Sequence, residues 1–446
     1  MGEMETVSII IVNLNGARHL KNCLGSINRL DYPKEMVEVI VFDNGSTDNS
    51  LDIVREVCPD ANIIEHPENL GFAPPHRIAA EAAKGNVLAF LNNDTRVDKG
   101  WIREGTSVLD RSEGIVCSAS KLMTWNGKRV EFNGGTLQYL GYADQLTAND
   151  LKAGDEILFP CGGAMFIFKD VFMEAGCFDD DYFAIFEDVD LGWRLWVMGY
   201  RVVMAPDSIA YHRGHSTLDS QKDVKKRFLM HRNALMTIIK NYDDDNLRKI
   251  LPLALALAVK RALLFMNIDK KGFYFWETQA PTTGIPHKYE EGCIHLAALD
   301  DVFESFHDLE KKREAVQKNR RRDDCDIFKL FKDPFRNIMG YSEYLWAESS
   351  LFGKFSLEQL FDCREEYKKR IDEGIWHAEK RLEALQKVAH KEMLSSRDAV
   401  DGTAVKRHLL GAFSRGLLKE GPSATIKKTA VYMTRNLSNW LKYKIW

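Results

Sequence analysis

Four runs of β-branched and aliphatic residues constrain this chain more than anything else in it. Val7–Asn13 and Val37–Asp43 are nearly continuously apolar, the mark of strands buried on both faces. Ala61–Glu65 is a shorter third run and Asn86–Leu91 a fourth. Helical spacing fills the gaps: Leu20, Cys23, Leu24 and Ile27, then Leu51, Ile53, Val54 and Val57, then Pro75–Lys84. Ser46, Thr47 or Asp48 stands where it can cap the second helix. Strands alternating with helices at a spacing of about 25 residues are βαβ units, and they predict a parallel sheet. Such sheets bind ligands beyond the carboxyl ends of their strands. Asp43, Asn69 and the Asn92-Asn93-Asp94 triplet are therefore expected on one rim.

The alternation breaks after about residue 115. Val130–Tyr142 suggests hairpins, Met165–Phe168 and Tyr200–Ala205 strands, and Arg227–Tyr242 a helix. Beyond residue 245 the pattern turns helical, with an apolar segment at Leu251–Phe265 and a Pro- and Gly-marked linker at 281–289. Val302, Phe306, Leu309 and Val316 keep helical spacing, as do Ile371, Ile375, Ala378, Leu382 and Leu385; such stripes make helix–helix cores. Lys318–Asp324, with Arg320, Arg321 and Arg322, reads as a solvated turn. The expected division is 1–245, 246–295, 296–400 and 401–446.

A net charge of −4 argues against nucleic acid as a partner. The 8 cysteines include no C-x-x-C pair, which points to a reducing compartment, and Cys161 and Cys177 read as small core residues. The start is acidic and lacks a secretory pattern, and the longest apolar run, 250–259, falls short of a membrane span.

Chemistry concentrates at Phe183–Leu195, where Glu187, Asp188 and Asp190 stand at the junction of an aromatic run and a helix. Carboxylates cap helix N-termini well, but one in a partly apolar pocket is also a candidate general base. Asp94 follows a strand and could ligate a hard cation or close a turn. His212 follows another strand and is a further ligand or a structural imidazole. Asp43 could accept from a base or ribose, or cap the next helix.

In order, the motifs are Asn13-Leu-Asn-Gly16, Asp43-Asn-Gly-Ser-Thr-Asp48, Asn69-Leu-Gly-Phe-Ala73, Asn92-Asn-Asp-Thr95, Gly162-Gly-Ala164, Glu187-Asp-Val-Asp-Leu-Gly-Trp-Arg194 and His212-Arg-Gly-His-Ser216. This series resembles the family 2 inverting glycosyltransferases of the GT-A fold, over roughly residues 5–245, and particularly the bacterial rhamnosyltransferase and galactofuranosyltransferase-like branch. The resemblance implies an α/β domain, a Rossmann-like mixed sheet with helices on both faces, followed by an α-helical C-terminal region. It implies transfer of a sugar from a nucleotide diphosphate-sugar to an acceptor hydroxyl of a glycan, lipid-linked or at the cell surface, with inversion. Asp188, with Glu187 as runner-up, matches the segment of the catalytic base. Asn13, Asn15, Asp43, Asn69, Gly71, Arg77, Asn92 and Asn93 fall on the donor side, and Gly162, Gly163 and Trp193 on the acceptor side. Asp94 and His212 match a site for Mg or Mn.

Two positions depart from the family. Asn92 replaces the first carboxylate of its D-x-D motif, and Pro74-Pro75-His76-Arg77 replaces small residues after Asn69-Leu-Gly-Phe-Ala73. A catalytically weakened nucleotide-sugar-binding scaffold is the alternative from a different class. A nucleotidyltransferase ranks last, because Asn13–Arg18 lacks a Gly-rich phosphate loop.

Residues 404–446 carry nine Lys or Arg, one Glu, and interleaved Leu, Phe, Val, Tyr and Trp. Basic amphipathic segments of this kind lie in a membrane interface, or dock as a terminal helix. The expected location is cytoplasmic and peripheral at the inner face of the membrane. Self-association through the C-terminal helices is a further expectation.

Overall fold

The computed structural model describes residues 4–148, 150–213, 224–266, 289–355 and 357–361. Residues 1–339 and 350–362 form one compact unit, and residues 340–349 and 363–446 belong to a second. The helical spacing at 371–385 and the basic tail lie outside the described residues.

The four apolar runs form β1 (Val7–Asn13), β2 (Val37–Asn44), β3 (Asn62–His66) and β4 (Val87–Leu91). They pair in parallel, in the order β3-β2-β1-β4. Helices α1 (Ala17–Ile27), α2 (Ser50–Val57) and α3 (Ala73–Ala82) make the crossovers. Ile9, Ile10, Ile11, Leu88, Ala89 and Phe90 are fully buried, as strands covered on both faces require. The two prolines of the departing segment sit in the first turn of α3, where a missing N–H costs nothing. His76 is fully buried there against Phe72, Phe90 and Phe178, and burial pushes its pKa down to about 4. It is a core residue rather than part of a diphosphate site.

Beyond β4 the sheet becomes mixed. β5 (Thr95–Val97), α4 (Trp101–Thr106), β6 (Ile115–Thr124) and β7 (Val130–Phe132) come next. A separate hairpin joins β8 (Gly135–Leu137) to β9 (Ala143–Gln145). β10 (Ala164–Phe168) inserts antiparallel between β4 and β6, followed by α5 (Lys169–Glu174) and α6 (Glu187–Val197). β11 (Arg201–His212) pairs with β6 in parallel and with β5 antiparallel. It is longer than the strand expected at Tyr200–Ala205, so His212 is its last residue and lies opposite Thr95. β6 escaped the sequence pattern because Ser118 and Ser120 interrupt its apolar run. Both are fully buried, with Ser118 Oγ donating to the Gly105 carbonyl at 2.6 Å and Ser120 Oγ accepting from Trp101 Nε1 at 2.9 Å.

The helical part comprises α7 (Val224–Asn241), α8 (Asp244–Met266), α9 (Tyr289–Glu304), α10 (Phe306–Lys318), α11 (Asp324–Phe328) and α12 (Ser342–Lys354). α8 starts two turns before the apolar segment and runs through Pro252. The basic turn after α10 is not solvated as expected. Arg322 donates to the carbonyls of Gly199 and Tyr200, and the Arg321 N–H donates to the Val197 carbonyl. Arg320 donates to the Asn241 carbonyl and pairs with buried Asp324. The Arg322 guanidinium thus sits at the carbonyl-rich end of α6 and that of Arg320 at the end of α7, where positive charge is favoured. No helix among the described residues is long and apolar enough to cross a membrane.

Candidate active site

The parallel strands end level, and their polar end residues are stitched together. Register places Asn13 opposite Asp43. Asn13 Nδ2 donates to Asp43 Oδ1 at 3.2 Å and to Ser46 Oγ at 3.0 Å, and Asn93 Nδ2 donates to Asn13 Oδ1 at 2.8 Å. Asn15, in a left-handed conformation with φ 49°, accepts the Thr47 N–H on Oδ1 at 2.8 Å. Asn44 Nδ2 donates to Asn69 Oδ1 at 3.0 Å and to the Gly71 carbonyl at 2.8 Å. Asp43, Asn69 and Asn93 therefore share one rim. Asn44 and Ser46 organise it, although the sequence pointed to Ser46 only as a helix cap and did not single out Asn44. Asp48 ties the same loop to two helix starts, accepting the N–H groups of Ala17 and Ser50.

The antiparallel register of β5 and β11 brings His212 to Asp94. His212 Nε2 lies 3.4 Å from Asp94 Oδ2, and His212 Nδ1 lies 3.0 Å from Glu131 Oε2 on β7. Burial works against the charge of His212, but Asp94 and Glu131 outweigh it and raise its pKa. A ring nitrogen held by one carboxylate, with the other aimed at a second carboxylate, is the arrangement that orients metal-ligating histidines. One carboxylate oxygen and one imidazole nitrogen suit Mn better than Mg, since Mg favours oxygen. Asn92 gives no ionic ligand. Its carbonyl accepts from Thr95, and its side chain packs on Gly163, where a Cβ would come within 2.8 Å of Asn92 Nδ2.

Gly163 links this edge to the carboxylates of α6. The Asn92 N–H donates to the Gly163 carbonyl at 3.0 Å, and the Gly162 N–H donates to Asp188 Oδ2 at 2.8 Å. Asp188 is half-buried, whereas Glu187 is 6% exposed and its Oε2 has no hydrogen-bond partner among the described residues. Burial, then the Asp188 charge, push the Glu187 carboxyl well above the usual range. Burial also raises Asp188, while the N–H groups of Gly162 and Val189 hold it back. Burial and the charge of its neighbour thus favour a proton on Glu187 more than on Asp188.

The third carboxylate serves structure. Asp190 is fully buried with Arg194 Nε at 2.8 Å and Lys240 Nζ at 2.9 Å, and Asn241 Nδ2 donates to it at 3.0 Å. Burial alone would raise its pKa, but Arg194 and Lys240 outweigh that and hold it low. Lys240 also pairs with Asp179, which in turn pairs with Lys312 of α10.

Two expected site residues do other work. Trp193 is fully buried, edge-on to Tyr242 and Phe331, because it lies on the core side of α6 and cannot meet an acceptor. Arg77 pairs with Asp180 and Glu81, each at 3.1 Å, so its guanidinium is committed to carboxylates rather than offered to a diphosphate.

Parts of this chain are similar to known proteins. The profile of glycosyl transferase family 2 matches residues 8–176. Glycosyltransferase AglE of Haloferax volcanii is 26% identical over 263 residues, 57% of this chain and 80% of that protein. The poly(ribitol-phosphate) beta-N-acetylglucosaminyltransferase TarS of Staphylococcus aureus is 27% identical over 130 residues, 28% of this chain but only 22% of TarS. The solved mannosyltransferase PcManGT of Pyrobaculum calidifontis, in complex with GDP-Man and Mn2+, covers 84% of this chain and 88% of its own at 15% identity, with a TM-score of 0.40. The segment similar to glycosyl transferase family 2 thus spans the parallel strands and their polar rim.

Proposed function

We propose that this chain moves a sugar from a nucleotide diphosphate-sugar to an acceptor hydroxyl with inversion, with Asp188 as the base. The observation that carries this is the position of Asp188, a half-buried carboxylate in the first turn of α6 beside buried Glu187. Gly162 anchors it one residue from the glycine that packs on Asn92. Asp188 takes the acceptor hydroxyl proton as that oxygen attacks the anomeric carbon. The bond from anomeric carbon to phosphate oxygen breaks, and its electron pair leaves with the nucleoside diphosphate. The Asn13–Asp43–Ser46 network holds the nucleoside end of the donor. A divalent cation held by Asp94 and His212 would stabilise charge on the leaving diphosphate.

The test is nucleoside diphosphate release by the full chain from a panel of UDP-, GDP- and dTDP-sugars, with Mn and simple alkyl glycosides as acceptors. The panel includes the hexosyl and rhamnosyl donors that the sequence resemblance implies. Asp188→Asn is expected to lower turnover by about 10²-fold or more, the scale of general base catalysis, with nucleoside diphosphate affinity retained. Wild-type turnover in that variant, or no release from any donor by the wild type, overturns the proposal.

The acceptor is a lipid-linked or cell-surface glycan, and the chain meets it at an anionic membrane face through residues 404–446. Each Lys or Arg near such a surface contributes about 1 kcal/mol. Flotation of the full chain with anionic liposomes at low salt, lost in a chain ending near Gly402, is the expected outcome. If the full chain stays at the bottom of the gradient, this placement is wrong.

A further inference from the structure

The five residues before the Glu187–Asp188 pair follow a path that side chains ordinarily avoid. Phe183 has φ 57°, Ile185 φ 71° and Phe186 φ 71°. Positive φ is uncommon outside glycine, and for a β-branched residue such as Ile185 it is exceptional. A segment held this way persists only where its surroundings impose it.

One buried side chain does much of the imposing. Asn233, on α7, is fully buried, and its Nδ2 lies 3.1 Å from the Tyr182 carbonyl, 2.9 Å from that of Ala184 and 2.6 Å from that of Ile185. An amide offers two protons, so three carbonyls saturate it. No partner among the described residues reaches its Oδ1. The amide is therefore oriented wholly toward the loop.

The same face of α7 continues the grip. Thr237 Oγ1 lies 2.9 Å from the Tyr182 hydroxyl, Lys240 bonds Asp179 and Asp190, and Asn241 bonds Asp190. Positions 233, 237, 240 and 241 follow helical spacing, and all four are buried. From the opposite side, the Phe72 N–H donates to the Phe183 carbonyl. Gly71, with φ +87°, comes so close that a Cβ there would lie 2.6 Å from the Phe183 oxygen. The loop is thus clamped between the donor rim and α7, with Asp188 next in line.

We infer that Asn233 is a positioning residue for the reaction, fixing the left-handed loop 183–186 so that Asp188 presents its carboxylate beside Gly162. This rests on the assignment of Asp188 as base. A displacement of about 1 Å in a catalytic group can cost about 10²-fold in rate, so a base in the first turn of a helix entered through such a loop needs this fixture.

The test is Asn233→Asp, which keeps the shape but sets a carboxylate against three carbonyls. It is compared with Leu253→Ala, a fully buried truncation on α8 that lowers stability away from the site. Urea titration gives the folded fraction of each, and turnover is read as nucleoside diphosphate released from the donor that the wild type uses. Per folded molecule, Asn233→Asp is expected to lose about 10- to 100-fold in kcat, with donor KM within about twofold and the acid limb of the pH profile displaced. Leu253→Ala is expected to keep the wild-type kcat and pH profile. If Asn233→Asp does not fold, Asn233→Ser, which keeps one donor, is judged by the same measure. Wild-type kcat per folded molecule in the variant so judged overturns the inference. If Asp188→Asn is inactive while the Asn233 variant is not, only the positioning role falls. If Asp188→Asn is fully active, the base assignment falls first.

Discussion

The residues of the donor rim each stand at or just past the end of a parallel strand, and one turn of backbone sets each of them. Asp188 has no such strand beneath it. Asp188, the proposed base, sits in the first turn of α6, and the loop entering that helix is shaped by Asn233 from 48 residues downstream of Ile185, by Gly71 from far upstream, and by an ion network reaching α10. The rim is thus set by strand register and stitched by side-chain amides and the Asp43 and Asp48 carboxylates, whereas the proposed base is placed by a loop, a helix and a buried ion network. A substitution in the rim should weaken binding and leave the fold intact. A substitution under the base should alter stability and turnover together.

The largest effect expected from this contrast is on Lys240→Met. Lys240 is 2% exposed and bonds Asp179 and Asp190, so its loss leaves carboxylates short of a buried partner. Breaking such a pair costs about 3–5 kcal/mol. Urea unfolding should show a loss near the lower end, because Arg194 still holds Asp190. Asn13→Ala, in the rim, should move the midpoint far less and raise the donor KM instead. Equal destabilisation by both would abolish the distinction between the two regions.

An intermediate effect is expected at the metal pair. Glu131 makes no claim to bind the cation, but it holds His212 Nδ1 at 3.0 Å. Removing a partner of this kind costs about 10- to 100-fold in metal affinity. Glu131→Gln should therefore raise the Mn concentration needed for half-maximal turnover by that factor, and Asp94→Ala by more. Turnover that survives excess chelator in the wild type would remove the cation from the scheme and leave Asp94 a turn residue.

What could be read from the sequence follows the same division. The parallel strands and the level rim follow from β-branched runs and the residues next to them, and the pairing of Asp94 with His212 from the resemblance to a known family. Glu131 carried no signal, because only the β6–β7 pairing and the length of β11 bring it to His212. Asn233 and Lys240 looked like polar positions on an ordinary helix. Nothing local marks a buried amide whose partners are carbonyls of a loop some fifty residues away. Trp193 misled for the converse reason: an aromatic beside a catalytic segment resembles a sugar platform, yet α6 turns it into the core. Arg320–Arg322 looked like a solvated charge run, but the carbonyl ends of α7 and α6 give Arg320 and Arg322 partners that no linear pattern displays.

The smallest effect separates the two carboxylates themselves. Glu187 is buried and its pKa is raised by burial and by Asp188, so in the folded chain it keeps its proton above the pH at which the unfolded chain, near the usual value of about 4.3, gives it up. The folded state then binds more protons than the unfolded state, and stability must fall as pH rises through the interval between the two pKa values. Glutamine has the shape of the protonated acid and no proton to lose. Glu187→Gln should therefore match the wild type below the unfolded pKa and become the more stable of the two as pH rises past it. A tenfold difference in proton affinity corresponds to about 1.4 kcal/mol, and relaxation around the site should leave about 1 kcal/mol by pH 8. Urea midpoints at pH 5 and pH 8 for both proteins decide this. A gap that shrinks with pH would mean that Glu187 is the ionised member of the pair. If Glu187→Gln loses turnover while Asp188→Asn keeps the wild-type rate, the base is Glu187.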